Sequence, residues 1–513
     1  PSPSTTELAF RSVTEARHLL ARGETTSVEL TETLLRRMEE ADSDGPGVRA
    51  VLAICPDAIQ TAQRMDEERR QGVVRGPLHG IPVLVKDNID TPGSEGTTAG
   101  SLALAMTRPV KDAVVVQRLR ASGAIVIGKS NLSEWANFRG KRSSSGWSAT
   151  GGQCRNPHAL ERSPGGSSSG SGAGVAAGFA PVAVGTETDG SILCPAALNG
   201  IVGIKPTVGL TSRTGVVPIS SSQDTVGPMA RNVADAAALL GVLAGNAEGA
   251  DPLDPYTMAR PANLPADYAA FCDVGGLTGA RIGVPREHYF GHSAKADVLV
   301  EAAFAVARDT GALIIDPAEV PTAKAISRSN DEFTVLLHEF RAGLEGYLAT
   351  RPAGDGQPRT VSEIVAFNEA HASDELAFYG QEILIAACDV GGLDSPAYLK
   401  ARARNRRKAR QGGIDAALRG ANADVLALPC MGPAWCIDHV NGDSHAGAGY
   451  QAAAVAGYPA ISLPVGKVCG LPVGLLLVGT AWSEPTLIRI AFALEQALAL
   501  GDDLRPAWRP QVE

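Results

Sequence analysis

The chain has 513 residues, with 46 Lys and Arg against 55 Asp and Glu for a net charge of −9, and hydrophobic and charged shares of 44% and 20%. Such a balance describes an ordinary globular protein long enough for a large core, and it disfavours nucleic acid or an anionic membrane as a partner. Eight cysteines without a CxxC pair indicate neither a zinc cluster nor a thioredoxin motif, and no apolar run approaches the ~20 residues that cross a bilayer.

The opening PSPSTTELAF lacks the basic and apolar regions of a signal peptide, while a first residue of Pro1 rather than Met fits a leader already removed. A soluble protein is expected, cytoplasmic or exported. Val28, Leu30, Leu34, Leu35 and Met38 recur at helical spacing behind Thr and Ser cap candidates, which predicts an amphipathic helix. Val48 to Ile54 reads as a strand and Pro56 to Arg70 as the next helix. The run Gly80-Ile-Pro-Val-Leu-Val-Lys86 then delivers a lysine to the end of an apolar strand. Lys86 either faces inward, where burial favours its neutral form, or lies exposed beside Asp87 and Asn88.

Asp112 to Ser122 is a predicted helix and Ala124 to Gly128 a buried strand, followed by the polar turn Lys129 to Trp135. Turns at strand ends are where open α/β sheets place their sites. Trp135, Asn137, Phe138 and Trp147 gather here and suit a pocket wall as well as a core. Further on, Gly200 to Pro206 is a strand, Asn232 to Leu243 a helix, and the polar, Pro-rich stretch from Gly245 to Leu277 a surface excursion or linker. Arg281 to Pro285 restarts the strand pattern. Helical segments follow near 294–309, 331–349, 373–388 and 397–418. The last carries Arg402, Arg404, Arg406, Arg407, Lys408 and Arg410, which in a net acidic chain reads as a solvated helix face. Asp424 to Pro429, Ala460 to Val465 and Leu471 to Val478 are three more buried strands, and Glu484 to Leu498 a closing helix. Strands at both ends of the chain, with helices between, predict one α/β sheet completed by the C-terminal segment.

The stretch Ser163 to Pro195, SPGGSSSGSGAGVAAGFAPVAVGTETDGSILCP, holds two Ser/Gly-rich turns around an apolar segment. Five glycines and four serines between Gly165 and Gly174 allow left-handed turns and close backbone approach. Three chemistries could use them. A phosphate loop requires a Gly-Lys-Ser/Thr that is missing. An α/β-hydrolase elbow could be Gly166-Ser-Ser168-Ser-Gly170 with His439 or His445 as base, yet the polar Glu161-Arg-Ser-Pro164 is no strand to precede it. The third is acyl transfer by two serines and a neutral lysine, for which Ser167, Ser191 and Lys86 are present, with backbone N–H groups of Thr188-Asp189-Gly190-Ser191 for an oxyanion.

That combination resembles the amidase signature family. The resemblance is carried by Gly-Gly-Ser167-Ser-Ser-Gly-Ser, by Gly-Thr-Glu-Thr-Asp-Gly-Ser191-Ile, and by Lys86 in Ile-Pro-Val-Leu-Val-Lys-Asp-Asn. It continues through Gly203 to Leu210 and Gln223 to Met229. Asn131 to Gly140, Gly185 to Ala197 and Gly479 to Pro485 are similar to the bacterial peptide amidases within that family. The resemblance implies a single amidase domain over residues 1–513, with a large central mixed β-sheet covered by helices on both faces. Its signature core would span about 75–245, a helical insertion about 290–420, and strands within 424–498 would complete the sheet.

By the same resemblance Ser191 is the nucleophile, Ser167 a bridging serine after a cis Gly166–Ser167 peptide, Lys86 the base, and Thr188, Asp189, Gly190 and Ser191 the oxyanion donors. No metal and no cofactor is implied. Relatives that clamp a substrate carboxylate carry arginine three residues after the nucleophile, where this chain has Cys194, so a neutral amide is expected, above all the C-terminal amide of a peptide. Asn137 is the candidate for a substrate-backbone contact, and Tyr450 and Trp482 for the outer pocket. The alternatives are a broad aryl or aliphatic amidase, a non-catalytic binding protein and a subunit of a glutamine amidotransferase. The only partner implied is the amide substrate, bound by a monomer or homodimer.

Overall fold

A computed structural model describes residues 5–93, 96–245, 249–354, 356–506 and 508. The first helix predicted from the pattern, α1 (Ser27–Met38), is capped by the Thr26 side chain on the Glu29 N–H and buries Leu30, Leu34 and Met38. It is followed by β1 (Val51–Ile54), α2 (Ala58–Arg70), β2 (Pro82–Lys86), α3 (Val114–Ala121) and β3 (Ile125–Ser130). Every residue of β2 and β3 is buried, as the apolar runs that open them require of strands covered on both faces.

The Ser/Gly stretch does not place its two turns around a single apolar element. It makes a short helix, α4 (Ser169–Ala176), then β4 (Val182–Glu187), then α5 (Leu193–Asn199), so the apolar segment is split between a helix end and a strand. β5 (Val202–Lys205), β6 (Thr225–Ala230) and α6 (Val233–Ala244) follow, the last capped by the Asn232 side chain. The expected excursion after Gly245 packs onto the body instead. Within it Tyr268 is fully buried and Asp254 pairs with Arg213 at 2.5 Å; residues 246–248 lie outside the described set.

Beyond it come β7 (Arg281–Gly283), α7 (Ala294–Asp309), β8 (Leu313–Ile315), α8 (Asp331–Thr350) and α9 (Pro396–Ala409). The helix expected over 373–388 is two pieces, Ala372–Glu375 and Glu382–Cys388. The one expected over 397–418 passes through a wider turn, Arg410–Ile414, before ending in Asp415–Ala421. β9 (Val425–Pro429), β10 (Ala460–Val468), β11 (Leu471–Val478) and α10 (Glu484–Leu498) close the chain.

These eleven strands form one mixed sheet in the order β1-β3-β2-β4-β6-β5-β10-β11-β9-β7-β8, and the short pair Trp147–Ser148 and Gly152–Gln153 makes a separate ribbon. β2 runs parallel to both β3 and β4, and β4 pairs antiparallel with β6. The sheet is therefore mixed α/β and flanked by helices, with strands from the two ends of the chain meeting where β5 pairs with β10. A separate apolar cluster joins Leu336, Phe340 and Leu344 of α8 to Trp135, Phe138 and Ile219. It seats the helical segment against the loops that follow β3 and precede β6. No helix among the described residues is long and apolar enough to cross a membrane.

Candidate active site

β2 ends on Lys86, whose side chain is fully buried. Its side-chain nitrogen lies 2.8 Å from Ser167 Oγ, 2.8 Å from Thr186 Oγ1 and 3.3 Å from the Thr186 carbonyl oxygen. Thr186 comes from β4, parallel to β2, so two neighbouring strands place the lysine and its second hydroxyl partner. Asn88 Nδ2 donates to the same Thr186 Oγ1 at 3.0 Å. No carboxylate forms an ion pair with Lys86 among the described residues, and burial holds its pKa well below the usual lysine range, against smaller opposing pulls from Glu187 and Asp224. The neutral amine is the form this environment favours.

Ser167 follows a cis Gly166–Ser167 peptide and sits in the turn before α4. Its carbonyl accepts from the Ser133 N–H at 3.1 Å, and the next residue, Ser168, donates its N–H to the Ser191 carbonyl at 3.1 Å. That bond ties the two serine turns together. Ser168 Oγ donates to the Thr186 carbonyl at 3.0 Å and accepts from the Thr186 N–H at 3.2 Å, so the hydroxyl of the apparent elbow is consumed by β4.

The second turn, Thr188 to Ser191, leaves β4 and enters α5. Glu187 fixes it: one carboxylate oxygen accepts from the N–H groups of Ile192 at 2.7 Å and Leu193 at 2.9 Å. The backbone N–H groups of Asp189 and Ser191 have no hydrogen-bond partner among the described residues. Gly190 has φ +79°, and a Cβ there would stand 2.2 Å from the Tyr450 ring, so only glycine fits both the backbone and the space. Burial, and then Glu332 and Glu187, raise the pKa of Asp189 well above the carboxylate range, which keeps it protonated beside Glu332. Glu332 Oε1 and Oε2 accept from Gln223 and Gln451, each at 2.9 Å.

These groups open on a cleft of about 200 Å³ lined by Ser191, Thr188, Asp189, Cys194, Asn137 and Tyr450 among others. Asn137 Nδ2 donates to Ser145 Oγ at 3.0 Å, while its Oδ1 is buried without a partner among the described residues. Trp135, Ala136 and Asn137 take successive positive φ values of 50°, 53° and 70°, a conformation costing about 1–2 kcal/mol per residue and found where a side chain must be aimed. Burial pushes the Cys194 thiol up to about 12, so it is a neutral wall. Trp482 does not join this group. It lines a different cavity together with Thr207, whose Oγ1 accepts from the Trp482 N–H at 2.9 Å.

Phe138, one of the residues suited to a pocket wall, does line the cleft; sequence reasoning missed Thr186 and the rest of that wall, Ile219, Leu336, Trp435 and Asp443. A threonine at the end of the apolar run Val182-Ala-Val-Gly, before Glu187, was the available signal for the first; the wall comes from distant loops and α8 and carries none. His445 also lines the cleft, whereas the His439 ring stacks on Phe378 at 4.1 Å. Two other lysines are fully buried: Lys129 is held by Asp87 at 3.4 Å, and Lys205 donates to the Tyr458 carbonyl at 2.7 Å. Neither has a serine for a partner among the described residues. The same set contains no group of three or more His, Cys, Asp or Glu side chains arranged to hold a metal ion.

The family model described as Amidase matches residues 29–488. The crystal structure of the native peptide amidase from Stenotrophomonas maltophilia superposes with a TM-score of 0.90 at 49% identity, covering 98% of each chain. A probable amidase of Arabidopsis thaliana is 38% identical over 92% of this chain and 87% of its own length. One component of the glutamyl-tRNA(Gln) amidotransferase of Chloroflexus aurantiacus is 36% identical over 96% of this chain and 97% of its own.

Proposed function

This chain belongs to the Amidase family and is a hydrolase of amide C–N bonds, and from that premise we propose that it releases ammonia from neutral primary amides, in particular the C-terminal amide of peptides, through Lys86, Ser167 and Ser191. One observation carries the reading: a fully buried lysine, without a carboxylate partner among the described residues, 2.8 Å from the hydroxyl of a buried serine whose neighbour Gly166 lines the cleft.

In the proposed reaction Ser191 Oγ attacks the amide carbonyl carbon. Its proton passes to Ser167 Oγ as the Ser167 proton passes to Lys86 Nζ, which the buried site keeps neutral and able to accept it. The carbonyl oxygen becomes an oxyanion held by the N–H groups of the Thr188 to Ser191 turn, an effect worth about 3 kcal/mol per donor. Lys86 then returns the proton through Ser167 to the leaving nitrogen, the C–N bond breaks, and ammonia departs from an acyl-Ser191 ester. Water attacks that ester by the same relay and frees the acid.

A neutral thiol at Cys194 and the apolar side chains of Phe138, Ile219 and Leu336 favour an uncharged amide end over a carboxylate. The unpartnered Asn137 Oδ1 suits a backbone N–H of a peptide substrate, and the name of the Stenotrophomonas maltophilia relative points the same way. The test is ammonia release by the purified chain from amidated dipeptides, free amino-acid amides, aryl amides and glutamine. The expected order places amidated dipeptides first and glutamine last. A preference for aryl amides, or turnover of glutamine only, would replace this substrate assignment.

A further inference from the structure

The arginines of α9, read from sequence as a solvated face, divide in two. Arg404 and Lys408 pair with Asp331 on α8, the latter at 3.2 Å. Arg402, Arg406 and Arg410, four residues apart and therefore on one side of the helix and its continuing turn, line a cavity of about 320 Å³. Its other walls include Tyr458 and Trp482, and it shares no lining residue with the Ser191 cleft.

This cavity is short of negative charge. No carboxylate lines it among the described residues. Arg402 donates to Tyr256 Oη at 2.8 Å and lies 4.0 Å from Glu339, a carboxylate already taken by Ser220, Ser222 and Tyr398. Arg410 donates Nε–H to the Ala456 carbonyl at 2.8 Å and stacks its guanidinium 5.5 Å from the Tyr458 ring. The Arg406 guanidinium has no hydrogen bond or ion pair among the described residues, and it stands close enough to Arg410 to lower that residue's pKa, after burial as the larger cause. Asn405 adds an independent observation. It is 7% exposed, it lines the same cavity, and its Nδ2 is buried without a partner among the described residues. A buried amide N–H₂ left unpaired is costly, and three guanidinium groups at one wall repel one another unless an anion sits between them.

We infer that this cavity is a binding site for a small organic oxyanion, its carboxylate or phosphate head taken by Arg402, Arg406, Arg410 and Asn405 and its flat or apolar body lying against Tyr458 and Trp482. The volume suits a ligand of metabolite size, and aromatic walls beside guanidinium donors complement a molecule with a charged head and a flat body. The site also borders the catalytic region: Gln223 lines the cavity and donates Nε2–H to the Thr188 carbonyl at 3.3 Å.

Phenyl phosphate and benzoate, titrated by calorimetry at constant ionic strength against a chloride control, test the inference and tell the two head groups apart. Saturable binding of at least one probe is expected, weakened about tenfold or more in R406E and in N405A, in line with loss of charge-assisted hydrogen bonds. Arg406 is exposed, so R406E should keep its fold, checked by circular dichroism; R406Q serves the same comparison if it does not. Absence of saturable binding by both probes, or equal affinity in wild type and R406E, would overturn the assignment.

Discussion

Lysine ammonium groups are costly to bury, and this protein buries three to completion. Lys129 is fully satisfied, with Asp87 at 3.4 Å and four oxygen acceptors at 2.6 to 3.1 Å. Lys205 rests on two backbone carbonyls and is pushed down by burial to about 8. Lys86 meets two hydroxyls, one of them a serine's, and one weakly placed carbonyl, and burial drives it toward the neutral amine. The expected consequence is a pH profile of kcat/KM that rises with pH along one limb and then levels, because the lysine must be deprotonated in the free enzyme to accept a proton. Below its pKa the protonated amine is inert, so activity is lost on acidification. K86R is expected to abolish turnover at every pH, since a guanidinium stays charged. A profile without an acid limb, or an active K86R, would remove Lys86 from the relay.

At the scale of elements, α4 decides how the two serine turns meet. All eight of its residues are buried, and a Cβ on Gly170 would stand 2.1 Å from the Ala50 carbonyl oxygen and 2.5 Å from the Asn131 nitrogen. Both neighbours are backbone and cannot rotate away. G170A is therefore expected to cost about 3 kcal/mol or more of stability, read from denaturant midpoints, and to depress activity with it; a wild-type midpoint would mean α4 does not press on the backbone beside β1 and β3. The same element explains what the sequence could convey. Ser167, Ser191 and Lys86 were legible because each stands in a long, unusual string of neighbours. α4 was not, because a helix buried on every side has no amphipathic period, and Ser and Gly in series look like a turn. β6 carries Gly and Pro, β8 has only three residues, and the wall of Trp435 and Asp443 is brought to the cleft by packing that leaves no local trace. The alternating strands and helices, by contrast, repeat often enough to declare one sheet.

Across the whole molecule, the fold buries carboxyls as well as lysines, and they link stability to pH. Burial raises Glu495 on α10 from 4.5 to about 7, against the Val233 N–H that it accepts at 2.9 Å. A carboxyl raised in the folded state stabilises fully below its unfolded pKa, and that contribution is lost as pH rises through about 7. Relative to E495Q, which does not titrate, the wild type is expected to lose on the order of 3 kcal/mol between about pH 4.5 and pH 8. Chemical denaturation of both proteins across that range reads the difference, and parallel curves would contradict it. The sheet also holds the groups of the proposed relay: β2 brings Lys86, β4 brings Thr186 and the Ser191 turn, and the turn before α4 brings Ser167. The most direct test is ammonia release from an amidated dipeptide by wild type, K86A, S167A, S191A and S168A, with folding checked by circular dichroism. K86A and S191A are expected to fall by about 10³-fold or more and S167A with them, while S168A, whose hydroxyl serves only the Thr186 backbone, keeps most of its turnover. Turnover surviving in S191A, or lost in S168A while S191A stays active, would contradict the assignment of Ser191 as nucleophile.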